Sequence, residues 1–348
     1  MHKIKVKYGF FTRGDVMDFY FIAVIVIFFY IFVTGFHDEG NLVATIIFSR
    51  SIDAKKAFIL AAVAQFLGTA IISTNVSKTV AKDIVKYEYL FKSGYNISLL
   101  ILCGLIGAMI WNFITWYFGI PSSSSHALIG GMLGPFVLEY GFNSINVQGI
   151  LFRAILPLFL SPIIGFITGY LITFFLSEIL KNQTPAVNNI LKKLQYFTLF
   201  FLNAVHGSND AQKGMGLIVI LMMIKGQTHN FEVPFDVKYI SALMISFGLI
   251  LGGFRIIKNV GAGIYRVRPF HSFNAQLSSL LVVSIAAIIG APISGTQLIN
   301  SSILGIGAKE RPTAVRWQFA RGIIMAWFIT IPVSFIISYL IYGLTKLL

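Results

Sequence analysis

Apolar runs long enough to cross a hydrocarbon core recur along this chain from residue 19 to its end, and no other feature limits the fold as strongly. A core of about 30 Å takes about 20 helical residues to span. The clear runs are Phe19 to Phe36, Ala57 to Ser73, Ser98 to Phe118, Leu151 to Leu176, Tyr239 to Leu251, Leu277 to Ile289 and Ile323 to Ile341; others are shorter or broken by glycine. Strands of a membrane barrel alternate apolar and polar residues over about 10 positions, and these runs do not. The expectation is an all-α integral membrane protein with about ten helical passes, some of them discontinuous. Composition agrees, since 56% of residues are hydrophobic and only 11% are charged.

The formal charge of +14 is spread over inter-helix loops, at Lys3, Lys5 and Lys7, Lys55 and Lys56, Lys192 and Lys193, Arg266 and Arg268, and Lys309 and Arg311. Such loops sit against anionic lipid, so no nucleic-acid partner is expected. Because basic clusters follow many of the runs, they do not fix the orientation. The opening MHKIKVK resembles the start of a signal peptide, but the apolar run after it leads straight into GFHDEGN without a small-residue cleavage site, so that helix is expected to be retained. Cys103, the one cysteine, lies in ILCGLIG with no partner for a disulfide or a thiolate metal site, and reads as a small buried apolar residue.

Against this background Asn203 to Gly216, NAVHGSNDAQKGMG, packs an acid, a lysine, amides and three glycines between apolar runs. An ionised side chain at membrane depth costs about 2.5 to 3.5 kcal/mol, so the stretch has a use. It also has a counterpart. Asp38 in GFHDEGNLVAT and Asp210 in GSNDAQKGMG precede Pro121 in GIPSSSSHALIGGMLG and Pro292 in GAPISGTQLINSSILG by 83 and 82 residues. Each of those prolines lies 13 residues before a glycine, Gly134 or Gly305, and 41 or 40 residues before a mid-run proline, Pro162 or Pro332. Arg153 and Arg321, and Tyr170 and Tyr339, extend the register. The chain thus reads as two repeat halves, 1–180 and 194–348, joined by a polar linker at 181–193. Asn75-Val76 and Asn259-Val260 fall out of register, 37 and 49 residues after their aspartates, and the loop GQTHNFEVPFDVK accounts for the extra piece. Duplicated halves with glycine- or proline-interrupted helices point to a transporter of two inverted-topology repeats with its site near the midplane.

Four motifs carry the chemistry. A serine-bearing helix start after Pro121 offers hydroxyls, free backbone N–H groups and the positive end of the helix dipole, and Pro292 begins a second such end. Ser122, Ser123 and Ser124 from one half, with Ser294 and Thr296 from the other, are the expected ligands of a tetrahedral oxyanion, joined by Gln212 and Lys213. A flexible serine loop is the plainer alternative. A carboxylate repels an oxyanion, so Asp38 and Asp210 are expected to hold a cation or proton that travels with the anion. Asn41, Asn209 and Ser125 complete that oxygen set, with Na⁺ at Asp38, Asn41 and Asp210 as the metal reading. Lys213, three residues after Asp210 as Asn41 is after Asp38, either pairs with Asp210, locking two helices, or contacts the anion. His37, His126 and His206 match no metal-ligand spacing, and helix-end hydrogen bonding is their expected role. Glu39 either titrates within the site or lies at its wet rim. HGSNDAQKGMG lacks the glycine that should precede a phosphate-loop lysine, so ATP chemistry is not expected.

These strings resemble the inorganic phosphate transporter (PiT) family of cation-coupled symporters. GFHDEGNLVAT is similar to its first-half signature, HGSNDAQKGMG to its second-half signature in bacterial members, and PSSSSHALIGG to its most specific string. The likeness covers essentially the whole chain, in the short form without a large central domain. It implies that Asp38, Asn41, Asp210 and the Ser and Thr residues after Pro121 and Pro292 line the cation and phosphate sites, and that the protein is a homodimer in a bacterial inner membrane. Glu39-Gly40, where Thr-Ala or similar is usual, and ISGTQ, where a fuller Ser/Thr run is common, depart from the pattern at positions that bear on ion stoichiometry and anion identity. The expected function is import of phosphate with Na⁺ or H⁺, with no cofactor and no enzymatic activity. The alternatives are a sulfate permease on the same scaffold, carriage of a metal-phosphate, and, from another class, an ion channel.

Overall fold

The computed structural model describes residues 13–83 and 97–347, apart from the side chains of 13–18, 81–83, 153–154 and 254–263. Lys3, Lys5 and Lys7 lie outside the described residues, as do the side chains of Arg153, Asn259 and Val260. Among the described residues all regular structure is helical: α1 (Arg13–Asp38), α2 (Gly40–Phe48), α3 (Ala54–Ile71), α4 (Asn75–Asp83), α5 (Ile97–Phe118), α6 (Ser124–Tyr140), α7 (Leu156–Leu180), α8 (Val187–Ile224), α9 (Phe235–Gly263), α10 (Pro269–Ile289), α11 (Gly295–Glu310) and α12 (Trp317–Thr345). A π-helical stretch, Gly149–Ile155, leads into α7.

Among the described residues, seven helical segments are long and apolar enough to cross a membrane: Phe19–Phe48, Ala54–Ile71, Ile97–Phe118, Gly149–Leu180, Phe235–Gly253, Pro269–Ile289 and Trp317–Thr345. The count falls short of about ten because the helices that carry the polar motifs fail on length or polarity. α6 and α11 have 17 and 16 residues, or about 25 Å, and α8 contains the polar stretch Asn203 to Gly216. The outward faces are apolar, with Ile25, Ile71 and Ile288 exposed at 67%, 75% and 74%. Surfaces of that kind suit lipid rather than water.

The two chain reversals before α6 and α11 are built alike. α5 and α10 each end at a glycine with positive φ, Gly119 at 64° and Gly290 at 73°, a conformation that glycine adopts without strain. The next amide closes a wide turn in both: Ile120 N donates to Thr115 O and Ala291 N to Ala286 O, each at 2.8 Å. Pro121 and Pro292 follow, then Ser123 and Ser294 as N-caps, whose hydroxyls accept from His126 N at 3.3 Å and Gln297 N at 3.4 Å. The prolines therefore stand two residues before the N-caps rather than in the first helical turn, because the fixed proline φ ends the reversal and the serine side chain starts the helix.

Packing is exchanged between the halves. α6 lies along α12 and α11 along α7, while α1 lies along α9 and α3 along α8. Small residues set the distances. A Cβ on Gly130 or Gly131 would run into Ser334 and Ile331 or into Gly104, and one on Gly214 or Gly216 would sit 2.5 Å from Ile31 Cγ1 or 2.6 Å from Ser77 O. Such backbone proximity is how apolar helices associate without a hydrophobic drive. A Cβ at Gly40 would lie 2.6 Å from Gly253 O and 2.8 Å from Gly253 Cα, both backbone atoms. Gly40→Ala is expected to destabilise the protein by about 1 to 3 kcal/mol, read as a lower thermal midpoint in detergent.

Two sequence expectations need adjustment. The second half of the 181–193 linker is helical, since α8 begins at Val187, and its polar character reflects an exposed helix start. Arg321 lies inside α12 rather than ahead of it. Pro162 and Pro332 are mid-helix as expected, and residues 225–234 form the loop between α8 and α9.

Candidate functional site

The first polar motif breaks a helix. α1 stops at Asp38, the chain turns at Glu39, and α2 restarts at Gly40. Asp38, Glu39 and Asn41 are all buried, so each charge or amide must find partners within the protein. The Asp38 carboxylate accepts from His37 Nδ1 at 2.6 Å, from Ser124 N at 3.2 Å, from the Ser124 hydroxyl, and from Thr296 Oγ1 at 3.3 Å. Ser124 opens α6 and Thr296 lies in the first turn of α11. One carboxylate therefore ties together the N-termini of two helices from different halves, where free amides and the helix dipole favour negative charge.

The second motif does not break its helix. α8 runs unbroken for 38 residues through Asn203 to Gly216, where a discontinuity comparable to the first half was expected. Its glycines serve close packing instead: a Cβ on Gly207 would meet the Gln65 side chain at 2.7 Å. Asp210 and Lys213 face the same helix ends as Asp38. Lys213 donates to the Asp210 carboxylate, to Ser125 Oγ at 2.6 Å and to Ile293 O at 3.1 Å, and both residues are 1% exposed. Both alternatives for Lys213 bear on this centre, and its described contacts are with Asp210 and the two helix starts.

The remaining expected residues divide between the centre and its supports. Asn41 Nδ2 donates to Asp38 O at 2.9 Å and Thr296 Oγ1 at 3.1 Å. Asn209 Nδ2 donates to Ala291 O at 3.2 Å, just before Pro292. The side-chain oxygens of both asparagines are buried with no hydrogen-bond partner. Ser122 Oγ reaches Thr115 Oγ1 at 2.9 Å and His37 Nε2 at 3.3 Å, so it backs the centre rather than opening into it. Ser123 and Ser294 are N-caps. Gln212 Oε1 accepts from Val76 N at 2.9 Å and so holds the start of α4, away from the Asp38 carboxylate.

Glu39 is fully buried, which removes the wet-rim reading. It accepts from Gln65 Nε2 at 2.6 Å and lies 3.0 Å from His206 Nδ1. Glu39, His206 and Asp210 have ligand atoms within 4.8 Å of one another. The histidine rings bond to acids, hydroxyls and backbone: His37 to Asp38 through Nδ1 and to Thr115 and Ser122 hydroxyls through Nε2, His206 to Glu39, and His126 Nδ1 to Trp327 O at 3.1 Å. A side chain at Gly295 would strike the His206 ring, which gives the ISGTQ departure a steric reason. Sequence reasoning missed Gln65, Thr115 and Trp327. The available signal was a lone amide in AVAQFLG, whereas nothing local marks Trp327, whose indole reaches Pro121 O at 3.2 Å only through the α6–α12 packing.

The centre is closed. The void lined by Ser125, Lys213 and Pro292 is about 10 Å³, room for one water at most. Elsewhere a cleft of about 610 Å³ is lined by Arg50, Arg266, Arg268 and Arg316, a basic surface that raises the local concentration of anions. Beside it Glu310 bonds His271 Nε2 at 2.7 Å and Tyr265 OH at 3.2 Å. Burial works to raise the Glu310 pKa, but the His271 bond and charge, with Arg268, hold it below the ordinary carboxylate value.

Known proteins are similar to this chain in sequence and in fold. The model of the Phosphate transporter family matches residues 34–338. A probable low-affinity inorganic phosphate transporter of Bacillus subtilis (strain 168) is 37% identical over 319 residues, covering 91% of this chain and 94% of its own. One of the same description from Rhizobium meliloti (strain 1021) is 37% identical over 316 residues, covering 90% and 92%. Among solved structures, one titled the sodium-dependent phosphate transporter has the same fold, with a TM-score of 0.84 at 24% identity, covering 95% of this chain and all of its own. With a family model spanning most of its length and relatives aligned end to end, the chain belongs to the phosphate transporter family.

Proposed function

We propose that this protein is a secondary transporter that imports inorganic phosphate together with Na⁺ or H⁺. The observation that carries this reading is the convergence of two helix N-termini, one from each half, on a single pair of buried acids: Asp38 at Ser124 and Thr296, and Asp210 with Lys213 at Ser125 and Ile293. In the closed state the carboxylates take the donors that an oxyanion needs. A cation on Asp38 offsets its charge and frees Ser124 N and the neighbouring hydroxyls for phosphate, so anion entry and cation entry depend on each other. Ser123 and Ser294 hold the helix starts in place for this exchange, and Gln212 anchors the neighbouring helix.

The exchanged packing of α6 with α12 and α11 with α7 supports two inverted repeats, 1–180 and 194–348, that rock against each other to alternate access. The names of the relatives, both phosphate transporters, favour phosphate over sulfate as the cargo. A homodimer in the bacterial inner membrane completes the proposal, testable by crosslinking in native membranes. The function is tested by uptake of radiolabelled phosphate and sulfate into proteoliposomes under an imposed Na⁺ or pH gradient. Phosphate accumulation above equilibrium with one of these gradients is expected. Accumulation driven by neither gradient overturns symport, and sulfate uptake without phosphate uptake reassigns the anion.

A further inference from the structure

The residues three positions after the two buried aspartates have opposite polarity. Asn41 follows Asp38 and Lys213 follows Asp210. Asn41 spends its amide nitrogen on Asp38 O and Thr296 Oγ1, which leaves its side-chain oxygen buried and unpartnered, on a side chain that shares Thr296 Oγ1 with the Asp38 carboxylate. That is an acceptor waiting for a positive group. Lys213 presents the reverse. Its ammonium, 1% exposed, is held by the Asp210 carboxylate, by Ser125 Oγ at 2.6 Å and by Ile293 O at 3.1 Å. A carboxylate, a hydroxyl and a backbone carbonyl form the all-oxygen set that hard cations take in place of water. The lysine ammonium is itself a compact, strongly hydrated point charge with three donors, and all three are matched here. None is left over for an anion.

We propose that Lys213 is a tethered cation. Its ammonium fills, as part of the protein, the second-half position equivalent to the one that Asp38 and Asn41 offer to a mobile coupling ion in the first half. Each phosphate would then travel with one mobile cation fewer than two equivalent acidic sites imply. The inference rests on the cation-coupled reading above and deepens it, by assigning the mobile cation to one half and a fixed charge to the other.

The test compares wild type with Lys213→Ala in two assays. In proteoliposomes, Lys213→Ala phosphate uptake is expected to fall at least about a hundredfold, because Asp210 becomes an uncompensated buried charge. Methylammonium or raised Na⁺ should restore it, with a dependence on that cation one power steeper than the dependence of wild type on its coupling ion. In detergent, the thermal midpoint of Lys213→Ala should drop and then rise with methylammonium. The variant combining Asp210→Asn with Lys213→Ala, which removes both charges, should regain much of the lost midpoint and not respond to methylammonium. A loss of uptake relieved by raised phosphate but by neither cation would give Lys213 to the anion and overturn the proposal. A Lys213→Ala midpoint indifferent to both cations overturns it as well. Wild-type protein that takes up no phosphate under any gradient sinks the coupled-transport reading instead, while the melting assay still decides whether Lys213 stands in for a cation.

Discussion

Asp210→Asn is expected to abolish gradient-driven phosphate uptake and to lower the thermal midpoint in detergent. The substitution leaves the Lys213 ammonium, 1% exposed, without a counter-charge, held by neutral acceptors alone: Ser125 Oγ, Ile293 O and the new amide oxygen. Removing one partner of a buried ion pair costs about 3 to 5 kcal/mol. That cost falls where the starts of α6 and α11 meet, so the second half of the centre loses its geometry along with its charge. Uptake assays and melting curves on the same preparation check the two effects together. A variant that melts and transports like wild type would make Asp210 a spectator.

The second large effect is expected at Asp38. Asp38→Asn keeps the shape but turns one acceptor oxygen into an NH₂ group. The carboxylate accepts on both oxygens, from His37 Nδ1 and Thr296 Oγ1 on one and from Ser124 N and its hydroxyl on the other. With the amide nitrogen toward Ser124 a donor faces the Ser124 N–H, and with it turned the other way His37 must give up its Nδ1 proton and Thr296 must turn its hydroxyl to accept. Each charge-assisted bond is worth about 1.5 to 3 kcal/mol, and the loss of negative charge at the N-terminus of α6 adds to it. Cation-driven uptake should fall by two orders of magnitude or more, on the basis that about 3 kcal/mol is roughly a hundredfold in affinity. The variant should still insert and remain monodisperse, because its apolar contacts with α9 are untouched. Retained uptake with an unchanged cation dependence would remove Asp38 from the coupling site.

Much of the candidate site was legible in the linear chain. Asp38, Asp210 and the two serine-bearing reversals stand out because ionised and amide side chains are costly in an apolar setting, and because they recur at nearly equal spacing. The likeness of GIPSSSSHALIGG and GAPISGTQLINSS extended down to a matched pair of left-handed glycines and matched wide turns. Other features were not legible. Glu39 read equally well as a buried acid or a wet one, and only the arrival of Gln65 from α3 and His206 from α8 decided that it is buried. The same polar density that marks a break at Glu39 is carried straight through α8, where glycines accommodate neighbouring helices instead of ending the helix.

The sequence alone established a helical membrane protein, four polar motifs at matched spacing and the family they resemble. Those properties are local: they depend on hydropathy over one span length, on spacing along the chain and on the backbone preferences of Gly, Pro and Ser. The tertiary structure decided the pairings, namely that Asp38 bridges the starts of α6 and α11, that Lys213 spends its donors on Asp210, Ser125 and Ile293, and that Asn41 keeps an unpartnered oxygen. Those contacts join residues 80 or more positions apart, except for the pairs on one helix turn. They form only because the two halves exchange helices, which hydropathy and spacing along one chain do not specify.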